Sequence, residues 1–167
     1  FGSGYRRAIK PDFVYYGGRQ WYRMPLTPTN PVTIEPAIFR TTPGNKVASP
    51  GSLAGELSAT AYSCGTSNAT ALISRAAGIC YDSLQQIFNE QAADLDPSNY
   101  EVPLLKAMLV HGCSWGDMGS RISEVLRTPD NGHQLSGLVS RWMGYGVPQV
   151  DRVLDCTEQR ASLLGFG

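Results

Sequence analysis

No surplus of either charge sign exists in this 167-residue chain: Lys plus Arg and Asp plus Glu both number 14, so the formal net charge is zero. A nucleic-acid-binding domain normally carries a basic excess, so that partner class is not expected. No apolar run approaches the ~20 residues of a membrane span, so no membrane partner is expected either. No C-x-x-C pair is present. Cys64, Cys80, Cys113 and Cys156 stand 16, 33 and 43 positions apart, which excludes a zinc ribbon or a thioredoxin-like motif. Two disulfides remain open. Thiols this sparse and scattered favour a reducing compartment, hence a cytoplasmic location, with secretion as the alternative. Gly17-Gly18 is not followed by Gly-Lys-Ser/Thr, so it is no phosphate loop, and no acidic cluster has calcium-loop spacing. The chain starts with neither Met nor a signal peptide and stops in the apolar stretch Leu163 to Gly167; both ends read as cuts in something longer.

What is present is one domain's worth of ordinary globular composition, 42% hydrophobic and 17% charged. Two halves differ. Residues 1–64 are rich in Pro, Gly, Thr and Tyr and read as loop and edge-strand material. Ile9 to Tyr16 is the best strand, closed by Gly17-Gly18, and shorter extended pieces fall at Val32 to Glu35 and Ala37 to Thr41. From Thr66 onward the periodicity is helical. Leu72, Ala76, Ile79, Cys80, Leu84, Ile87 and Phe88 recur at three- and four-residue steps and predict one long amphipathic helix. Leu104 to Val110 follows Pro103 as a buried helix. Met118, Ile122, Val125 and Leu126 form a third apolar set, Leu135, Leu138, Val139 and Trp142 a fourth, and Val150, Val153 and Leu154 a short fifth. Ala161 to Leu164 could close the fold as a strand. Many helices with few strands point to part of a larger α/β unit.

The segment Ser63-Cys-Gly-Thr-Ser-Asn-Ala69 places a hydroxyl at the start of the long helix. The first backbone N–H groups of a helix lack internal acceptors, and the macrodipole favours negative charge there. An oxyanion formed by attack of Ser67 on a carbonyl would sit in that field, with the Ser67 N–H as one donor. Gly65 allows close backbone approach. Read alone, Gly-Thr-Ser before a helix is an ordinary cap.

The neighbouring residues add to this. Gly65, Thr66, Ser67 and Ala69 match the Gly-Thr-Ser-x-Ala nucleophile motif of subtilisin-like serine proteases position by position. Upstream, Lys10-Pro-Asp-Phe-Val-Tyr-Tyr-Gly-Gly18 resembles the Lys-Pro-Asp strand of that family. Downstream, Gly144-Tyr-Gly-Val-Pro-Gln-Val-Asp-Arg-Val-Leu154 is similar to its closing Gly-x-Gly stretch and short helix. Three matches in the right order cover most of the chain.

The resemblance implies the C-terminal part of a three-layer α/β/α sandwich with a mostly parallel sheet, spanning residues 1–167. It implies a serine endopeptidase acting through an acyl-enzyme on Ser67, with Gly65, Thr66 and Asn68 as the active-site loop. Peptide or protein would be the substrate. No cofactor is implied; structural calcium occurs in the family, but no site for it is visible. Where the family has Pro four residues after the nucleophile, often followed by His, this chain has Ala71 and Leu72. The triad of that family runs Asp, His, Ser along the chain. Here His111 and His133 both follow Ser67 and read as a helix-end and a turn residue. The missing Asp, His and oxyanion Asn would come from an N-terminal portion of the same peptidase domain, and this chain alone is expected to be inactive. The alternative is a silent domain of the same fold used for binding or assembly.

The remaining candidates have bland readings. Asp12 reads as a structural cap or turn residue, and Asp94, Asp96, Asp130 and Asp151 as local caps. Arg6, Arg7 and Lys10 read as a solvated basic group. Trp21, Tyr22 and Trp115 read as core or edge packing, with the lining of a peptide groove as the alternative. Cys64 lacks a visible activating partner.

Overall fold

Strand pairing is short throughout. The computed structural model describes residues 2–27, 31, 33–37, 42–91 and 96–155. Among them, β1 (Gly2–Ser3) pairs with β2 (Ile9–Lys10), β3 (Trp21–Arg23) with β4 (Glu35–Ala37), β5 (Asn45–Ala48) with β6 (Thr60–Ser63), and β7 (Cys113–Ser114) with β8 (Val147–Pro148). All four pairings are antiparallel. Five α-helices complete the described chain: α1 (Thr66–Gln91), α2 (Glu101–His111), α3 (Gly116–Leu126), α4 (Leu135–Met143) and α5 (Asp151–Leu154). The class is therefore mixed α/β, and the expected parallel sheet is not among the described residues. The expected pieces at Val32, at 38–41 and at Ala161 to Leu164 lie wholly or partly outside those residues, as do Asp94 and Cys156.

The chain divides into two compact units, residues 1–15 with 73–167, and residues 16–72. In the first, α1 supplies the main apolar stripe. Ala76, Cys80, Leu84 and Phe88 recur every fourth residue on one face and are buried. They pack with Met108 and Leu109 of α2 and Val153 of α5. Each large aliphatic or aromatic side chain buried there contributes about 1.5–3 kcal/mol. The expected α1 face holds except at Ile79, which stays 41% exposed. Pro103 lies in the first turn of α2, where its missing N–H breaks no helical bond. Leu135, Val139 and Met143 form the buried side of α4, so Met143 joins that face and Trp142 is half exposed. On α3 only Gly119 is buried, and Met118 and Val125 are open to solvent.

The expected strand over Ile9 to Tyr16 shortens to Ile9–Lys10. Pro11 has no N–H to donate to a ladder. Beyond it the chain runs on outside any sheet, docked by single bonds: the Tyr145 N–H donates to the Asp12 carbonyl at 2.9 Å, and the Val14 N–H to that of Gly146 at 3.1 Å. The Asp12 carboxylate, read as a structural group, is held by two ammonium groups. Lys10 bonds one oxygen and Lys106 Nζ lies 2.6 Å from the other.

Those lysine hydrogen bonds, Lys10 first, lower the Asp12 pKa. The same pair raises that of Lys106, chiefly through its bond to Asp12. A carboxylate with a depressed folded pKa stabilises fully above its unfolded value, about 3.9, and that contribution fades as pH falls through the folded value. Urea unfolding of the wild type should lose midpoint below about pH 4 more steeply than unfolding of Asp12→Asn. The lysines are about half exposed, so the effect is screened and should shrink in high salt.

The second unit is built on the β3–β4 and β5–β6 pairs. Gln20 donates through Nε2 to the Ala37 carbonyl at 2.8 Å, and Trp21 through Nε1 to that of Thr42 at 2.8 Å. Trp21 and Tyr22 thus sit on a strand, 47% and 56% exposed. The β5–β6 ladder runs from Asn45↔Ser63 to Ala48↔Thr60 and delivers the chain to the start of α1.

Candidate active site

Residues Ser63 to Asn68 turn from a strand end into a helix start. β6 ends at Ser63 and α1 begins at Thr66, so Cys64 and Gly65 make the whole corner. Gly65 takes φ +153°, a backbone state that side chains rarely adopt. Its N–H donates to the Gly17 carbonyl at 2.8 Å, and its own carbonyl accepts from the Asn68 N–H at 3.2 Å. Gly17 must also be glycine, because a Cβ there would lie 2.7 Å from the Gly65 carbonyl oxygen.

The Gly17 carbonyl accepts a second bond, from Asn68 Nδ2 at 3.2 Å. The same nitrogen donates to Ser63 Oγ at 3.0 Å, and that hydroxyl faces Asn68 Oδ1 at 3.3 Å. One carbonyl therefore anchors residues 65 and 68, which bracket Thr66 and Ser67. Asn68 is part-buried and its amide is committed to this clasp. The sequence assigns Gly17 and Ser63 no role at this corner; no local pattern marks a carbonyl whose partner lies 51 residues away.

Gly65, Thr66 and Ser67 are exposed. Ser67 makes no side-chain hydrogen bond among the described residues. It sits at the second position of a 26-residue helix whose first turn contains no acidic residue. The positive end of that helix is thus not offset by a carboxylate of its own first turn, which favours an anion beside the Ser67 N–H.

Removing the clasp has a defined cost. Asn68→Ala leaves the Gly17 carbonyl and the Ser63 hydroxyl each short of a partner in a half-buried place. A loss of about 1–2 kcal/mol in unfolding free energy is expected, measurable by denaturant titration.

The other candidates fall away from this geometry. His111 is the exposed last residue of α2, and His133 is exposed in the short 3₁₀ turn Gly132–Gln134, its Nε2 3.1 Å from Gln134 Nε2. Cys64 directs its thiol to Gln20 Oε1 at 2.7 Å. Cys64, Cys80 and Cys113 are free thiols. Burial pushes the Cys113 thiol up to about 11 and raises that of Cys80 as well, so neither is a ready thiolate. Asp96 accepts the Ser98 N–H at 3.0 Å as a local cap, and Trp115 donates to the Gly144 carbonyl at 3.0 Å. Among the described residues no three His, Cys, Asp or Glu side chains gather as a metal group, and no helix is long and apolar enough to cross a membrane.

The three stretches that carry the resemblance meet pairwise within their units. In the first unit Asp12 and Val14 bond Tyr145 and Gly146; in the second Gly17 bonds Gly65. Comparison with protein-family models, curated proteins and solved structures gives no match.

Proposed function

We propose that this chain is the C-terminal part of a subtilisin-like serine endopeptidase domain, with Ser67 as its nucleophile. The observation that carries the reading is the placement of Ser67: an exposed, uncommitted hydroxyl on the first turn of a long helix, between Gly65 and Asn68, which are both tied to one carbonyl. In this reading Ser67 Oγ attacks the scissile carbonyl of a peptide while a histidine from the N-terminal portion takes its proton. The Ser67 N–H, with an upstream Asn, donates to the oxyanion. The amine then leaves with that proton, and water releases the acyl group from Ser67. Gly65 and Thr66 fix the approach, and Asn68 holds the loop.

The finer fold goes with the function. The stretch from Lys10 to Gly18 would serve as an inner strand of a mostly parallel sheet once upstream strands flank it. The open apolar side chains Met118 and Val125 of α3 are what an uncovered part of a larger domain presents. Free Cys64, Cys80 and Cys113 suit a reducing, cytoplasmic setting. The second reading, a silent binding or assembly domain, is favoured by one observation: both histidines of this chain occupy exposed helix-end or turn positions.

A fluorophosphonate probe applied to the full-length protein separates the two. The enzyme reading expects a covalent adduct on Ser67, located by peptide mapping. A folded full-length protein that stays unlabelled leaves the binding reading.

A further inference from the structure

A cleft of about 240 Å³ opens within the first unit, between the segment around β2 and helix α4. Arg7 and Lys10 line one wall; Gly137, Ser140 and Arg141 line the other. Two features point to an anion there, and a third leaves room for one.

The first is charge. Among the described residues three cations and no carboxylate line the cleft. Lys10 shares the single carboxylate of Asp12 with Lys106, and among the described residues neither Arg7 nor Arg141 forms an ion pair. At least two positive charges are left uncompensated. The second is backbone. Arg6 and Arg7 take φ +56° and +63°, a left-handed state unfavourable for any residue with a Cβ. The turn is locked by Gly4 N–H to the Ala8 carbonyl at 2.7 Å and Ala8 N–H to that of Tyr5 at 3.1 Å. A merely solvated arginine needs no such turn, whereas this one sets Arg7 in the cleft wall. The third is Gly137. It lies inside α4, where glycine is a poor helix former, and a Cβ there would meet nothing within 4 Å. Packing does not require glycine at 137; its effect is a bare wall on the cleft.

Guanidinium groups match oxyanions through paired N–H donors, and an ammonium adds a point charge. Two uncompensated arginines balance a dianion, whereas a single carboxylate would leave one charge over. We propose that this cleft binds a phosphate group, free or as a monoester, held by Arg7 and Arg141 with Lys10 beside them. At about 30 Å³ per water, the space holds a phosphate together with part of its hydration or its ester substituent. The proposal is independent of the role of Ser67.

Isothermal titration of the full-length protein at constant ionic strength tests it, with inorganic phosphate, O-phosphoserine and acetate as titrants. Binding of at least one phosphate compound is expected, with acetate weaker by about tenfold or more. Whichever of the two binds more tightly identifies the free or the esterified form. Arg141→Ala and Arg7→Gly should each weaken binding by about tenfold or more. Arg7→Gly also relieves the left-handed turn, so its Tm should not fall and misfolding cannot explain the loss. Gly137→Ala should raise Tm yet weaken binding. No heat from either phosphate compound up to about 10 mM, acetate binding as tight as phosphate, or full binding by Arg7→Gly would each overturn the proposal.

Discussion

If the proposed peptidase reading holds, replacing Ser67 by alanine in the full-length protein is expected to cut peptide hydrolysis by about a million-fold and to leave thermal unfolding almost unchanged. The magnitude is that measured for the nucleophile of subtilisin itself, the enzyme whose motif this chain resembles. The argument for unchanged stability is local. Ser67 is exposed and makes no side-chain hydrogen bond among the described residues, so its hydroxyl contributes nothing to packing. Surface changes of that kind stay within about 0.5 kcal/mol. Asn68→Ala next door should behave in the opposite sense, losing stability through the Gly17 carbonyl and Ser63. Comparing the two variants separates a hydroxyl used for chemistry from an amide used for architecture. Unchanged hydrolysis in Ser67→Ala would remove Ser67 from the mechanism, whatever the fold turned out to be. A fall in activity matched by a fall in unfolding temperature would mean that Ser67 is structural.

The local part of this site was legible in the sequence, and the long-range part was not. Gly65, Thr66 and Ser67 could be placed at a helix start because the motif is contiguous and the apolar periodicity after it is strong. The periodicity of α1 named Ala76, Cys80, Leu84 and Phe88 correctly. It also named Ile79, which is exposed, and the α3 set at Met118 and Val125 is open too. Periodicity reports which side of a helix is apolar; it does not report whether anything covers that side. The strand expected at Ile9 begins where the sequence places it, and Glu35–Ala37 overlaps both shorter pieces; only the extension past Lys10 fails, for a related reason. The run from Phe13 to Tyr16 has strong β-formers, but β-propensity reflects fit to a neighbouring strand. Among the described residues that run joins no sheet, and Val14 instead bonds Gly146 of the Gly144–Gly146 turn. The β5–β6 pair was missed because its strands are short and joined by a long connection, so no hairpin signal marks it. Gly17 was legible only as the end of a strand, and its use as the anchor of the Gly65–Asn68 corner is a property of the folded chain.

Gly144→Ala should be among the most destabilising single-methyl changes in the described chain. Gly144 takes φ +58° and ψ −135°, a combination open almost only to glycine. An added Cβ would lie 2.5 Å from the Asp12 carbonyl oxygen and nearer still to that of Pro11. Both are backbone atoms, so no side-chain rotation makes room. Shifting the turn instead would disturb what it holds. The Gly144 N–H closes α4 on the Ser140 carbonyl at 2.8 Å, its carbonyl accepts Trp115 Nε1 at 3.0 Å, and the next N–H reaches Asp12. Backbone strain of about 1–3 kcal/mol and two or three weakened bonds near 1 kcal/mol each bring the loss to about 3–6 kcal/mol. That is a large share of the roughly 5–15 kcal/mol that stabilises a domain. Gly78→Ala is the control: Gly78 lies mid-helix in α1 with nothing within 4 Å of its added Cβ, so helix propensity alone should stabilise that variant. Denaturant midpoints for the two should therefore move in opposite directions. If Gly144→Ala unfolds no earlier than wild type, the docking of residues 11–14 on the Gly144–Gly146 turn is wrong, and one of the pairwise meetings between the family-like stretches goes with it.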